Sequence, residues 1–172
     1  MAVLEIVTVS SPRAPILREK TRPVECFDEN LRALAENMTE TMWHEHGIGI
    51  AAPQVGEYLA LVVVDIRQSK ETKYPCTLDG EKITKIALCP LLMANPRIEK
   101  FSMGTVYGRE GCLSVPDVRE NVRRSKEITV VYQDMNAESH RLFCGGILAI
   151  CIQHEIDHLN GILFIDRVER KE

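Results

Sequence analysis

Two histidines four positions apart, His154 and His158 in "QHEIDHLNG", with Glu155 directly after the first, have the types and spacing that suit a metal ion. At about 100° per residue on a helix the two imidazoles lie about 40° apart and one turn along the axis, so both reach one cation. Glu155 falls about 60° beyond His158, where its carboxylate reaches a water on that cation without displacing a histidine. That is a general-base position. Ile147, Ile150 and Cys151 continue the His154 face back toward the helix start as a small apolar wall. Core packing accounts for such a wall, and so does a pocket for an apolar substrate side chain.

A catalytic metal site takes three protein ligands and leaves one position open to water. The longer pattern HExxHxxGxxH finds Gly161 in place but Phe164 where its last histidine should stand. Downstream only Asp166, Glu169 and Glu172 remain, with no further helix to carry them. Upstream, Cys112 in "EGCLSVP" follows a glycine and is bounded by Pro116, as at a constrained turn or strand end. A thiolate with two imidazoles completes a three-ligand set. The alternative for one cysteine is a buried small hydrophobe.

These residues need elements to position them. Residues 145–159, "GGILAICIQHEIDHL", read as a helix stopped by Asn160 and Gly161, with the histidines on its last two turns. Residues 28–46 place Leu31, Leu34, Ala35, Met38 and Met42 at helical spacing, with Asp28 as N-cap and Gly47 just past the end. "YLALVVVDI" (58–66) and "EITVVYQD" (127–134) suit strands, the first of them buried, and "ILFID" suits a short one. Residues 67–86 are polar, with Pro75 and Asp79-Gly80, and read as an exposed insertion or hairpin. The expected fold class is α+β: mainly antiparallel β-sheets packed around a central C-terminal helix, plus an N-terminal helix. A chain of 172 residues without repeat or linker is expected to form one domain, 1–172.

With 25 acidic and 21 basic residues the net charge is -4, which gives no electrostatic footprint for nucleic acid. Arg119, Arg123, Arg124 and Lys126 cluster in "RENVRRSK" and read as a solvated face, although Arg124 paired with Asp157 would brace the metal helix. His44, His46 and His140 read as helix-end or surface residues. No basic leader and no long apolar span is found, so a cytoplasmic location without a membrane is expected. The six cysteines lack the spacing of a secreted scaffold and are expected to be reduced.

Three segments in order, "GIGIAAPQ" (47–54), "EGCLSVP" (110–116) and "QHEIDH" (153–158), resemble the signature motifs of the peptide deformylases, and the similarity runs from "APILRE" to "GILFID". The resemblance implies a hydrolase that removes the N-formyl group from the first methionine of nascent polypeptides and releases formate. It implies that Cys112, His154 and His158 bind one divalent metal, Fe2+ natively, with Zn2+ or Ni2+ able to replace it. Glu155 would be general base and then acid, and the Gln54 amide and the Leu113 N–H would hold the oxyanion. Ile48, Gly49 and Gly111 would meet the substrate backbone, with Gly47 and Gly49 allowing close approach. Ile147, Ile150 and Cys151 would receive the methionine side chain. The implied partners are N-formylmethionyl nascent peptides and, transiently, the ribosome.

The chain departs from compact family members in the polar 67–86 segment and in Gly108, where an apolar pocket residue is expected. It ends six residues after "FID", so the long C-terminal helix of some members is not expected. Two other classes compete: a peptidase or amidase with the same site, and a structural metal protein. The open fourth position and Glu155 argue against the second.

Overall fold

The run Leu61–Val64 is apolar at every position because both faces of that strand are covered. The computed structural model describes residues 2–69 and 76–169. In chain order the elements are α1 (Glu29–His44), β1 (Gly49–Ala51), β2 (Leu61–Val64), β3 (Thr77–Leu78), β4 (Glu81–Lys82), α2 (Lys85–Leu88), β5 (Leu91–Phe101), β6 (Thr105–Cys112), β7 (Val115–Ser125), β8 (Glu127–Gln133), β9 (Ser139–Gly145) and α3 (Gly146–Leu159). Three short 3-10 turns, Ala14–Arg18, Ala52–Val55 and Phe164–Arg167, complete the described residues. One antiparallel sheet has the order β1-β2-β5-β8-β9-β3-β4, and β6 and β7 form a separate hairpin. The α+β expectation holds.

Alternation on β2 divides the core. Leu61 and Val63 pack with Leu31, Ala35, Met38 and Met42 of α1, whereas Val62 and Val64 pack with Leu148, Cys151 and Ile152 of α3. A strand between two helices is read as a continuous apolar run for this reason. A third cluster, including Leu17, Val122 and Phe164, joins the N-terminal segment, β7 and the chain after α3.

Both long helices end in the same motif. Asp28 caps α1, its side chain accepting from Leu31 N at 3.0 Å. At the other end His46 N donates to Trp43 O and Gly47 N to Met42 O, with His46 at φ 55°. The left-handed position is therefore His46, not Gly47 as the sequence suggested. After α3, Gly161 at φ 71° takes that position, and a Cβ there would collide with the Arg18 carbonyl.

Other expectations need correction. "ILFID" forms a 3-10 turn because Asp166 folds back to accept from Leu163 N at 2.8 Å and pairs with Arg18. The strand expected over 58–66 shortens to Leu61–Val64, since Tyr58 and Ala60 bond Arg22 of the N-terminal segment. Residues 70–75 of the 67–86 stretch lie outside the described residues. Its later part is a hairpin turning at Asp79-Gly80 that extends the sheet beside β9. Arg124 is buried rather than on a solvated face, and His140 is half-buried, with Nδ1 on Asp79 at 2.7 Å and Nε2 facing Asp134 at 3.4 Å. Among the described residues no helix is long and apolar enough to cross a membrane.

Candidate metal centre

Helix α3 delivers His154 and His158 to one side, and the end of β6 delivers Cys112 to meet them. One ligand atom from each lies within 4.8 Å of the others, with Cys112 Sγ 3.2 Å from His158 Nε2. Ligand atoms about 2.0–2.3 Å from a tetrahedral cation stand about 3.3–3.8 Å apart, so the trio fits one divalent ion. The six cysteines are free thiols.

The histidines are oriented from behind. His154 Nδ1 lies 2.8 Å from Glu110 Oε2, which leaves Nε2 for a ligand. The Glu110 carboxylate accepts two bonds from Arg124, at 2.8 and 2.9 Å, and Arg124 Nη1 donates to Asp157 at 2.6 Å. Arg167 donates to both Asp157 oxygens, at 2.5 and 2.6 Å. The proposed Arg124–Asp157 contact is thus present, but it is one span of a longer chain from Arg167 to His154. Phe164 stacks on the His154 ring at 5.9 Å between centroids.

Electrostatics follow from burial and this chain. Burial raises the Glu110 carboxyl, yet Arg124 and His154 outweigh it and bring its pKa down to about 2. Burial disfavours charge on His154, but Cys112, Glu110 and Glu155 hold its pKa up at about 10. His158, buried beside His154 and Arg124, is pushed well below its ordinary value. Burial lifts Glu155 to about 7, and its buried Oε2 has no hydrogen-bond partner among the described residues. An unpaired oxygen beside three metal-type ligands suits a bound water.

Gln54 is fixed by its own backbone: Ala51 N donates to Oε1 at 2.8 Å, which turns Nε2 toward Cys112 Sγ at 3.5 Å and Ser114 Oγ at 3.3 Å. A cleft of about 510 Å³ opens over these groups, and Ile48, Gly49, Gln54, Gly111, Cys112, Leu113, Ile147, Ile150, Cys151, His154 and Glu155 all line it. His158 is buried beneath it, at 1 % exposure.

Gly49 on the cleft lining is also constrained from behind. A Cβ there would collide with Glu155 Oε1 and stand 2.7 Å from Cys151 Sγ. The packing of α3 behind the strand by itself requires this glycine. At Gly108 a Cβ would stand 3.5 Å from Ile150 Cδ1, an ordinary contact, so the missing side chain leaves room that Ile150 borders.

The sequence profile of the polypeptide deformylase family matches residues 3–172. The chain belongs to that family. It is an enzyme, a deformylase, that removes the N-formyl group from nascent polypeptides. A peptide deformylase of Opitutus terrae is 46% identical over 158 residues, covering 91% of this chain and 82% of its own. The crystal structure of the Thermotoga maritima peptide deformylase superposes on this deformylase with a TM-score of 0.83 at 35% identity, covering 99% of this chain and 100% of that one. A Met-Ala-Ser-bound class I type b peptide deformylase from Acinetobacter baumannii gives 0.83 at 34% identity, over 97% of this chain and 99% of that one.

Two residues of this deformylase's site were not singled out from the sequence. Glu110 stands two positions before Cys112, and although the β6–β7 register shifts between them both side chains reach α3; the two-residue spacing was the available signal. Ser114, buried against the Gln54 amide, had none.

Proposed function

We propose that Cys112, His154 and His158 hold one divalent cation, Fe2+ in the native enzyme and replaceable by Zn2+ or Ni2+, and that the cleft above binds N-formylmethionyl peptides. The observation that carries this reading is the convergence of three ligand atoms within 4.8 Å beside the unpartnered Glu155 oxygen. Bound there, the cation supplies Lewis acidity for the attack of water on the formyl carbon.

The chain's own residues do the rest. Glu155 takes a proton from the attacking water and returns it to the amide nitrogen as the C–N bond breaks, leaving formate and a free amine. Gln54 Nε2–H and the Leu113 N–H donate to the oxygen that becomes negative, and the Gln54 amide is held in place by its bond from Ala51. Ile48, Gly49 and Gly111 flank the extended peptide, and Ile147, Ile150 and Cys151 take the methionine side chain. Residues 1–172 act as one catalytic domain. The substrates are nascent chains, so the reading carries with it a cytoplasmic location and a transient ribosome contact.

The test is formate release from formyl-Met-Ala-Ser by protein loaded anaerobically with Fe2+, beside a Glu155→Ala variant that retains its metal. Turnover by the parent and a loss of about 10²–10⁴ in the variant are expected. Absence of turnover with metal bound would overturn the reading.

A further inference from the structure

Two arginines line the cleft without a carboxylate partner. Arg109 of β6 and Arg119 of β7 are both exposed on the lining, and among the described residues neither forms an ion pair. The acids on the same lining are Glu45, whose carboxylate is bonded to His44, the exposed Asp117, the buried Glu110, which Arg124 and His154 already occupy, and Glu155, which is buried on the α3 side against the histidines.

The two guanidiniums lie on one face of the β6–β7 hairpin. Glu110 turns toward His154, and Gly108 faces Ile150 of α3, so these even positions look toward the helix. Strand alternation sends Arg109 the other way, and Gly111 follows at a shift in the β6–β7 register. The Arg119 guanidinium lies over the bare face of Gly111, where a Cβ would stand 2.7 Å from its Cζ. Both cations therefore face away from α3.

A peptide held extended between Ile48 and Gly111, with its formyl end at Cys112, must alternate in the same way. Its first side chain enters the wall of Ile147, Ile150 and Cys151 on the α3 side. Its second side chain points to the opposite face, where Arg109 and Arg119 stand. We infer that these two arginines select substrates with an acidic second residue, formyl-Met-Glu or formyl-Met-Asp, over those with a basic one. The inference rests on the substrate reading above.

Exposed ion pairs are weak and screened by salt, so the expected preference is about fivefold in kcat/KM at low ionic strength, carried by KM, and smaller at about 0.5 M salt. The experiment compares formyl-Met-Glu-Ser, formyl-Met-Lys-Ser and formyl-Met-Ala-Ser on the metal-loaded protein and on R109E and R119E. It also measures dissociation constants for the deformylated peptides Met-Glu-Ser and Met-Lys-Ser. The readout is the Glu-to-Lys ratio within each protein, so a general loss of activity cancels. A ratio of about five that inverts in R109E or R119E supports the inference. A ratio within about twofold of unity, or one that survives both substitutions, overturns it. Failure to turn over formyl-Met-Ala-Ser would instead sink the substrate reading, and the ratio of the two dissociation constants would still decide the role of the arginines.

Discussion

Glu110 Oε2 lies 2.8 Å from His154 Nδ1, and the same carboxylate is gripped by the buried guanidinium of Arg124. The pair ties the strand that carries Cys112 to the helix that carries both histidines. Its position two residues from Cys112 means that one strand supplies both a proposed ligand and the group that orients a second, His154.

Glu110→Gln keeps the shape but removes the charge that fixes the His154 ring. Partners of this kind contribute about 10–100-fold to metal affinity. We expect a loss of that size for Zn2+ or Co2+, measured by competition with a chromophoric chelator. Unchanged affinity would show that Glu110 does not orient the ligand.

Arg124→Ala leaves Glu110 and Asp157 buried with less compensation. Breaking a buried ion pair from one side costs about 3–5 kcal/mol. Because Arg167 still pairs with Asp157, the lower end is expected in urea unfolding of the parent and variant. A change below about 1 kcal/mol would mean that the network relaxes without Arg124.

Gly49→Ala forces a methyl group against Glu155 and Cys151. Overpacking of this kind costs about 1–3 kcal/mol. Activity should fall further, by about 10²-fold, because displacing the proposed general base Glu155 by about 1 Å would have that effect. Formate release by Gly49→Ala at the parental rate would disprove the close packing of β1 on α3 as the reason for this glycine.

His140 gives a pH signature remote from the metal centre. Its pKa is raised by the bond to Asp79, against the cost of burial, and by Asp134. The Asp79 value is lowered by the bond to His140, and the Asp134 value by backbone donors and His140 despite its burial. Glu138 stands beside the same ring. The raised histidine contributes stability fully below its unfolded pKa near 6.5 and loses it as pH rises through the folded value. The lowered aspartates contribute above about pH 4 and lose it as pH falls through theirs. His140→Ala should therefore cost most between about pH 4 and 6.5, by at most about 1 kcal/mol. Equal urea midpoint shifts at pH 5.5 and 8.5 would contradict this.

The sequence by itself determined the two helices, the buried strand and the pair of histidines one turn apart. Each rests on a local rule: Leu31, Ala35, Met38 and Met42 repeat at helical spacing, Leu61–Val64 is apolar throughout, and His154 and His158 stand one turn apart. The end at "ILFID" was misread because a capping bond from Asp166 outcompeted strand propensity. Only the tertiary structure decided what surrounds the histidines and brought Cys112 to meet them. Arg124 looked like part of a charged surface until β7 folded against α3 and brought it to Glu110 and Asp157. Glu155 stands behind Gly49, a demand on that glycine that its neighbours in sequence do not announce. Local periodicity records which way a side chain points, but partners 33 or 44 residues away, such as Asp157 for Arg124 or Glu110 for His154, are chosen only when the strands and helix pack.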